Sequence, residues 1–277
     1  MPDSPLRLPD EREIATFEAD GVVALKGVYQ DNWVETLRRG VDEAMATSDR
    51  YTRRIQEEGE PDFFTDYIAW KRAPHIEKFV TEGPAAELGA ALMRSTKANF
   101  LFDGIFVKEP GVTKRSTWHQ DQPYYCVEGR QIVVLWAPLD PCPASVSLQC
   151  VKGSHRLGKA FRPITFRDGS DFGRGADDGY LDPPDVEQTF ADDIVSFDLE
   201  PGDVLAFHGM TMHGAPGNPG PHRRRAANCT WVGDDGLYIE RPGVMEPDFP
   251  DCGLKTGDPI DSAYFPRVFD AELSKRA

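Results

Sequence analysis

The sequence predicts a mainly β protein in which a β-barrel or jelly-roll core is covered by flanking helices. Three observations lead to this prediction. Helical periodicity is confined to the part of the chain before about residue 97. Short segments rich in β-branched and aromatic residues follow one another over about 98–232, and turn signals such as Pro201-Gly202-Asp203 separate them. Helices followed by many short strands are typical of a strand core with helices packed outside it.

The N-terminal part contains both helices and a strand. Its predicted elements are helices at 10–19, about 31–47 and 75–95, and a strand at 21–28. The longest helix is supported by apolar residues that recur every four positions, at Trp33, Leu37, Val41 and Met45. Such a stripe indicates a packing surface. The last helix is expected to break near Gly83-Pro84, because glycine and proline interrupt helices.

The remainder of the chain is strand-rich, then loop-rich. The predicted strands are 98–109, 130–140, 145–151, 192–200, 203–209 and 224–232. Residues 167–187 hold seven acidic residues against two arginines, and they are interpreted either as a solvated loop or as a mobile lid. From about residue 233 the chain is rich in Pro, Gly and Asp, which is typical of loops. No boundary is visible, so residues 1–277 are predicted to be one domain.

The charge and the cysteines limit the classes of function. The formal net charge is −15, which argues against nucleic acid or an anionic membrane as the main partner. A locally basic pocket for a small anion stays possible. The five cysteines are scattered, without a CxxC pair, which favours a reducing compartment. Neither a secretory signal nor an apolar span is visible, so a cytoplasmic protein is predicted. Nothing in the sequence indicates the oligomeric state.

The segment TWHQDQPYY at 117–125 places a histidine and an aspartate two positions apart. Residues two apart on a strand share a face, so His119 and Asp121 would project together into the barrel while Gln120 faces away. One imidazole and one carboxylate are two thirds of a 2-His-1-carboxylate Fe(II) site, which leaves positions open for a co-substrate and O₂. A simple His–Asp hydrogen bond is the alternative interpretation.

A third ligand would have to come from a distant part of the chain. Residues 202–228 offer His208, His213 and His222, and the residues alone leave the choice open. A dicarboxylate co-substrate would also need a cation, and the arginine fork suits a carboxylate. Arginines occupy 223–225, and on a strand Arg224 would face away from its two neighbours. A solvated sheet edge is the other interpretation of this run.

Several motifs together resemble the phytanoyl-CoA dioxygenase family. They are His119-Gln120-Asp121, CVKGSH at 150–155, and GDVLAFHGMTMHGAPGN followed by RRRA, in this order. The resemblance extends from about Val107 to Trp231. It implies a double-stranded β-helix, which is a jelly-roll, cupin-like core. It also implies Fe(II), 2-oxoglutarate and O₂ as cofactor and co-substrates.

The resemblance also implies roles for individual residues. Metal binding and catalysis fall on His119, Asp121 and His213, and co-substrate binding falls on Arg224, Trp136 and Lys108. The chain departs from the family pattern at Ala215, where relatives often have a serine that can bond the co-substrate. A second departure is VKGSH in place of PGSH, where His155 is expected to close a turn.

The implied activity is hydroxylation of an unactivated C–H bond of a small metabolite, with release of succinate and CO₂. The carboxylate of Asp121 favours hydroxylation over halogenation, because halogenating relatives lack it. Two other functions fit part of the pattern. A cupin-like metal enzyme that does not use 2-oxoglutarate would keep the three ligands without needing Arg224. A non-catalytic β-barrel binding protein would use its histidines for structure alone.

The substrate is predicted only as a small molecule, and neither its identity nor the regio- and stereochemistry of its oxidation can be inferred. Four aromatic residues are expected near the mouth of the site, as core or as substrate contacts: Phe102, Phe106, Tyr124 and Tyr125. Arg115 and Arg130 flank the metal-binding segment. They are expected to meet either an acidic group of the substrate or solvent.

Overall fold

The computed structural model describes residues 2–55, 59–165, 170, 179–241 and 245–274. The α-helices are α1 (Glu11–Asp20), α2 (Asp31–Ala46), α3 (Pro74–Glu82), α4 (Ala85–Leu92), α5 (Val186–Thr189) and α6 (Ala271–Ser274). The strands are β1 (Val22–Leu25), β2 (Arg53–Arg54), β3 (Phe63–Tyr67), β4 (Lys97–Lys108), β5 (Ser116–His119), β6 (Val127–Glu128), β7 (Ile132–Pro138), β8 (Gln149–Val151), β9 (Ile194–Val195), β10 (Val204–His208), β11 (His213–Ala215), β12 (Arg224–Val232), β13 (Leu237–Tyr238) and β14 (Arg267–Asp270).

Two antiparallel sheets build the core. The major sheet has the order β1-β10-β7-β12-β4-β3-β2, with β14 also paired to β4. The minor sheet has the order β5-β11-β8-β9, and β13 pairs with β6 in a small ribbon. Most neighbours in these sheets are distant in sequence, as in a jelly roll. The mainly β prediction with flanking helices is therefore confirmed.

The helices cover the outer face of the major sheet. The predicted stripe on α2 is buried at Trp33, Leu37 and Val41, and these residues belong to the large apolar cluster between helices and sheet. Glycine at position 40 lets α2 approach α3, because a Cβ there would lie 2.4 Å from Cδ1 of Ile76. Each fully buried aliphatic or aromatic side chain stabilises this layer by about 1.5–3 kcal/mol.

The predicted and observed elements differ mainly where strands are short. Helix 75–95 is two helices, α3 and α4, divided at Gly83-Pro84 as expected. Of the predicted strand 192–200, Ile194–Val195 pair with β8, and Leu199 forms an isolated bridge with Cys142. Strands β2 and β3 lie in the part predicted to be helical, and β14 lies in the predicted loop-rich tail. The single-domain division of the chain stays a prediction.

Three other expectations bear on the environment of the chain. All five cysteines are buried and unpaired. No helix within the described ranges is both long and apolar enough to span a bilayer. Most of residues 167–187, where a lid is one of the two interpretations, lies outside the described residues.

Candidate metal centre

Two histidines from neighbouring strands of the minor sheet face each other. His213 on β11 is directly opposite His119 on β5, and their ring centroids lie 4.1 Å apart. Asp121 joins them, with Oδ1 at 3.2 Å from Nε2 of His119 and 3.6 Å from Nε2 of His213. One ligand atom from each of the three residues lies within 4.8 Å of the others, so the group can hold a metal ion.

Asp121 is positioned by a turn, whereas the prediction placed it on the same strand as His119. Strand β5 ends at His119, and Asp121 has helical dihedral angles at the start of a short 3₁₀ turn. Its backbone N–H donates to the carbonyl of Gly209 at 3.0 Å, which fixes the turn. Gln120 faces away as predicted, because its side chain bonds to the backbone of Lys159, Phe161 and Met210.

Both imidazoles have a geometry that leaves the same nitrogen available. Nδ1 of His119 lies 2.7 Å from the carbonyl oxygen of Thr117, and Nδ1 of His213 lies 3.0 Å from that of Thr211. A carbonyl can only accept, so each Nδ1 carries the proton and donates it. Each Nε2 then carries a lone pair that can bind a cation, and such backbone partners of Nδ1 are typical of metal-ligating histidines.

The protonation states suit a divalent cation. Burial, together with the neighbouring His119, lowers the pKa of His213 to about 4, so its imidazole is neutral near pH 7. Burial by itself would raise the pKa of Asp121. The neighbouring His213 and His119, together with a hydrogen bond from the Tyr125 hydroxyl, outweigh it, and the pKa of Asp121 is lowered. The centre therefore offers the neutral imidazole of His213, the Nε2 atom of His119 and one carboxylate.

The other histidines of the 202–228 segment lie elsewhere. Nε2 of His208 donates to the carbonyl of Arg130 at 2.7 Å, and its Nδ1 accepts the N–H of Met210 at 3.0 Å. His222 is exposed. His155 follows Gly153, which has φ +74°, and packs against the His208 ring with centroids 5.3 Å apart. Its place beside this turn agrees with the structural role expected for it.

A cavity of about 820 Å³ opens above the three ligand residues, between the two sheets. That volume is typical of sites for drug-sized ligands. Five of the lining side chains of the major sheet form a surface that we call the major-sheet wall: Thr65, Tyr67, Phe106, Trp136 and Asn228. The minor sheet contributes the two histidines together with Ser116, Gly214 and Ala215.

Arg224 is a buried cation beside this cavity. It lines the cavity and is only 3% exposed. Its Nη1 donates to the carbonyl of Val146 at 2.5 Å, whereas its Nε has no hydrogen-bond partner and no carboxylate of the described residues pairs with it. The adjacent arginines face away, as strand alternation predicts, and pair with Glu109 and Asp140. A buried cation without a counter-ion is costly, so Arg224 is suited to an anionic ligand.

Three further positions, on β7, β12 and β11, bear on the predicted co-substrate pocket. Trp136 is buried and lines the cavity, opposite Asn228 in the sheet. Asn228 lines it too, and its Oδ1 has no partner in the described part of the chain. At the departure from the family pattern, Ala215 pairs with Ser116 on β5, and both line the cavity. The hydroxyl of Ser116 therefore lies on the strand opposite position 215, where relatives often have a serine hydroxyl.

Lys108 has a different environment from the other predicted site residues. It is fully buried and is absent from the cavity lining in the described ranges. Its Nζ donates to the carbonyls of Lys114 at 2.9 Å, Pro216 at 2.8 Å and Ala215 at 3.4 Å, and it lies over the Phe63 ring. Burial lowers the pKa of Lys108 to about 6, and these contacts oppose the loss of its proton. The geometry indicates a residue that holds β11 beside β4, and the co-substrate role of Lys108 stays a prediction.

Replacing Lys108 with methionine is expected to lower the free energy of unfolding by about 2–3 kcal/mol, because buried carbonyls would lose their donor. Urea unfolding followed by circular dichroism measures this. The matched control is Lys152→Met, which removes only an exposed contact with Asp193 at 3.9 Å. We expect the control to change stability by less than about 0.5 kcal/mol. Equal effects of the two substitutions would contradict the structural role of Lys108.

The expected mouth residues divide into two groups. Phe106, Tyr124 and Tyr125 line the cavity, whereas Phe102 is core. Neither Arg115 nor Arg130 lines it. The side chain of Arg115 is partly exposed and pairs with Glu187, and that of Arg130 is 96% exposed.

Sequence reasoning missed many of the lining residues, among them Arg53, Arg54, Thr65, Tyr67, Lys114, Asn228 and Glu246. Asn228 could have been found, because alternation along the predicted strand 224–232 puts it on the same face as Arg224. The first four of these residues lie on β2 and β3, two strands that were not predicted.

Comparison with known proteins gives one family. A model described as phytanoyl-CoA dioxygenase matches residues 17–226. A curated relative from Arabidopsis thaliana with the same name is 27% identical over 149 residues, which are 50% of this chain and 48% of the relative. The chain thus spans about half the length of that relative.

Solved structures share the fold over nearly the whole chain. The non-haem α-ketoglutarate-dependent carbocyclase SnoK from nogalamycin biosynthesis has a TM-score of 0.72 and 20% identity, covering 94% of this chain and 96% of its own. The epimerase SnoN, in complex with Fe³⁺, α-ketoglutarate and nogalamycin RO, has a TM-score of 0.73 and 19% identity, covering 93% and 98%. EctD from S. alaskensis, with 2-oxoglutarate and 5-hydroxyectoine, has a TM-score of 0.66 and 19% identity, covering 95% and 89%. These likenesses confirm the jelly-roll core.

Proposed function

The chain belongs to the phytanoyl-CoA dioxygenase family, and on that basis we propose that it is an Fe(II)- and 2-oxoglutarate-dependent dioxygenase. We further propose that it hydroxylates an unactivated C–H bond of a small metabolite and releases succinate and CO₂. The observation that carries the proposal is the meeting of two imidazoles and a carboxylate in one cavity with an unpaired, buried arginine.

The residues present fit the two groups that this function requires. His119, Asp121 and His213 would hold Fe(II), because a set of two histidines and one carboxylate binds that ion and leaves open positions. Arg224 would bind the distal carboxylate of 2-oxoglutarate through its guanidinium. Iron, when bound, supplies the activation of O₂ that converts 2-oxoglutarate into succinate and CO₂ and oxidises the substrate.

The protein's own part in the reaction is positioning and exclusion of water. Thr117 and Thr211 fix the imidazole tautomers through their carbonyls, and Tyr125 holds Asp121 by a hydrogen bond. Trp136 and Phe207 provide apolar surface beside the ligand residues, and the Phe207 ring lies 4.4 Å from that of His213. Such rigid support keeps the reacting groups in place and limits side reactions of the oxidant.

Hydroxylation is the finer part of the proposal. Structural relatives include a carbocyclase and an epimerase, so this fold accommodates several reaction outcomes. The presence of Asp121 supports hydroxylation over halogenation, because the carboxylate takes the position that a halide would occupy. The bound small molecules of the relatives support a small-molecule substrate here.

The first test is spectroscopic and needs no substrate. Anaerobic addition of Fe(II) and 2-oxoglutarate is expected to give a weak charge-transfer band at roughly 500 nm, as for a keto acid that chelates a ligand-poor iron site. Admission of O₂ should then release succinate, and chelation of the metal by EDTA should abolish both signals until Fe(II) is restored.

Two results would contradict the proposal. A cupin-like enzyme that does not use 2-oxoglutarate would bind Fe(II) without the band. A non-catalytic binding protein would fail to retain Mn²⁺ or Co²⁺ on dialysis, although these ions replace Fe(II) in sites of this ligand type.

A further inference from the structure

Four neutral hydrogen-bonding groups of the major-sheet wall have no partner among the described residues. They are the hydroxyls of Thr65 and Tyr67, the indole N–H of Trp136 and the amide of Asn228. Three of these side chains are almost fully buried, with exposures of 2% for Thr65, 3% for Trp136 and 6% for Asn228. Buried polar groups are normally hydrogen-bonded, so a set without partners beside a cavity indicates a ligand that supplies them.

Three of the four groups lie in one straight row across the major sheet. Trp136 on β7 is directly opposite Asn228 on β12, and Asn228 is opposite Gly104 on β4. Gly104 is in turn opposite Tyr67 on β3. Residues that are directly opposite in antiparallel strands share a face of the sheet. Thr65 is two positions before Tyr67 on the same strand and shares that face too. The four groups therefore form one continuous surface.

The glycine in this row makes room for the amide. A Cβ at Gly104 would lie 2.6 Å from Oδ1 of Asn228 and 3.1 Å from Cε2 of Phe106. Oδ1 of Asn228 thus occupies the space in which a side chain of residue 104 would lie. The row consequently has an amide at its centre, with the indole of Trp136 on one side and the phenol of Tyr67 on the other.

Aromatic rings surround these polar groups. The Tyr67 and Phe106 rings pack edge to face, with centroids 6.1 Å apart, and both line the cavity together with Trp136. Aromatic side chains supply apolar contact area, and Tyr and Trp add a polar end to it. Hydroxyls of a ligand suit such a surface, because each hydroxyl can both donate to the amide oxygen and accept from the indole N–H.

The wall itself carries no charge, since all five of its side chains are neutral. The nearest arginine, Arg53, is opposite Thr65 in the sheet, and its side chain is 48% exposed at the mouth of the cavity. Nη2 of Arg53 lies 3.7 Å from Oε1 of Glu246, and the two charges oppose each other. The surface that would meet a substrate therefore offers hydrogen bonds and apolar contact, without a counter-charge for an ionic group.

We propose that the substrate carries an uncharged, hydroxyl-bearing saturated ring, as in a pyranose glycoside, and that this ring binds on the major-sheet wall between Asn228 and Tyr67. Two interstrand steps of about 4.8 Å separate the strands of these residues, which accommodates one six-membered ring with a hydrogen bond of about 2.8 Å on each side. The inference rests on the proposed function, in which oxidation takes place at His119, Asp121 and His213 on the other side of the cavity.

The test compares probes that share a phenyl group and differ in the ring attached to it. Phenyl glycosides of glucose, galactose, mannose and xylose are compared with 2-phenoxytetrahydropyran, which keeps the ring and lacks the hydroxyls. Phenyl glucuronide adds a carboxylate. The readout is the dissociation constant obtained from perturbation of the visible band of the anaerobic complex with Fe(II) and 2-oxoglutarate. We expect at least one neutral glycoside to bind about ten-fold more tightly than 2-phenoxytetrahydropyran, because a site built to bond hydroxyls rejects an analogue without them.

Two variants assign this preference to the wall. Asn228→Ala and Tyr67→Phe each remove one hydrogen-bonding group without adding volume. Each should reduce the preference for the glycoside by about five-fold, while the band forms at unchanged 2-oxoglutarate concentration. The matched controls are Asn32→Ala and Tyr264→Phe, because both residues are exposed and outside the cavity lining of the described ranges. The controls should keep the full preference.

Each other outcome overturns the inference. Equal binding of the glycosides and 2-phenoxytetrahydropyran, or no binding of any glycoside, excludes a hydroxyl-bearing ring. Tighter binding of the glucuronide than of the glucoside would replace the neutral ring by an anion. A preference that survives in either variant places the ring elsewhere, and loss of the band in Asn228→Ala assigns that residue to the co-substrate. Failure of the proposed function is distinguishable, because the unaltered protein would then lack the band before any probe is added.

Discussion

Replacing His213 with alanine is expected to reduce succinate formation dependent on Fe(II) and 2-oxoglutarate by more than about 100-fold. The substitution removes one of three ligand groups that lie within 4.8 Å of one another. Asp121 and His119 would remain, but two ligands hold Fe(II) far less tightly than three. The measurement is the initial rate of succinate formation at saturating 2-oxoglutarate, with the Mn²⁺ retained after dialysis as a second readout.

The control for this substitution is His208→Ala. His208 is only five residues away, but both of its ring nitrogens are bonded to backbone groups of Arg130 and Met210. Its loss is expected to cost about 1–2 kcal/mol of stability and to leave metal retention unchanged in the folded fraction. Loss of metal retention in His208→Ala, with His213→Ala unaffected, would mean that the ligand assignment is wrong.

The contrast between these two histidines also marks a limit of sequence reasoning. Both follow the same apolar segment, and pattern alone does not separate them. In the structure, β10 ends at His208, and β11 begins at His213 in the other sheet. The turn between them carries the chain from one sheet to the other. Sequence periodicity describes a strand well, but it does not reveal which of two sheets the strand joins.

The prediction that His119 and Asp121 lie together agrees with the structure, but the reason given for it was partly wrong. Alternation on a single strand was expected to bring them together, but β5 ends at His119. A long-range hydrogen bond from Asp121 to Gly209 supplies the geometry instead. Hydrogen bonds of this kind join residues far apart in the chain, so local patterns cannot indicate them. The resemblance to a family, in contrast, grouped His119 and Asp121 without any need to infer these hydrogen bonds.

Long, periodic elements were predictable and short, paired ones were not. Helix α2 and strands β4, β7 and β12 have enough residues for a clear apolar period. Strand β2 has two residues, and its strand conformation depends on pairing with β3. Arg53 lies on that strand, which explains why the mouth of the cavity, and the charge that it carries, could not be inferred from the sequence.

The second large effect is expected for Arg224→Gln, which should raise the KM for 2-oxoglutarate by roughly 10- to 100-fold. This corresponds to the loss of charge-assisted bonds worth about 1.5–3 kcal/mol. The matched control is Arg225→Gln, one residue along β12 and on its opposite face. Arg225 pairs with Asp140 through two bonds of 2.8 and 3.1 Å, outside the cavity. Its replacement should leave the KM unchanged.

Stability distinguishes a ligand-binding arginine from a structural one, because the two variants should respond in opposite ways. Arg225→Gln breaks a formed ion pair and should lower the free energy of unfolding by about 1 kcal/mol. Arg224→Gln removes a buried cation that no described carboxylate neutralises, so the protein without ligands should be at least as stable as before. The increase in Tm on addition of 2-oxoglutarate should disappear in Arg224→Gln alone. If Arg224→Gln destabilises the ligand-free protein and retains that increase, then Arg224 supports the fold and the co-substrate carboxylate is bound elsewhere.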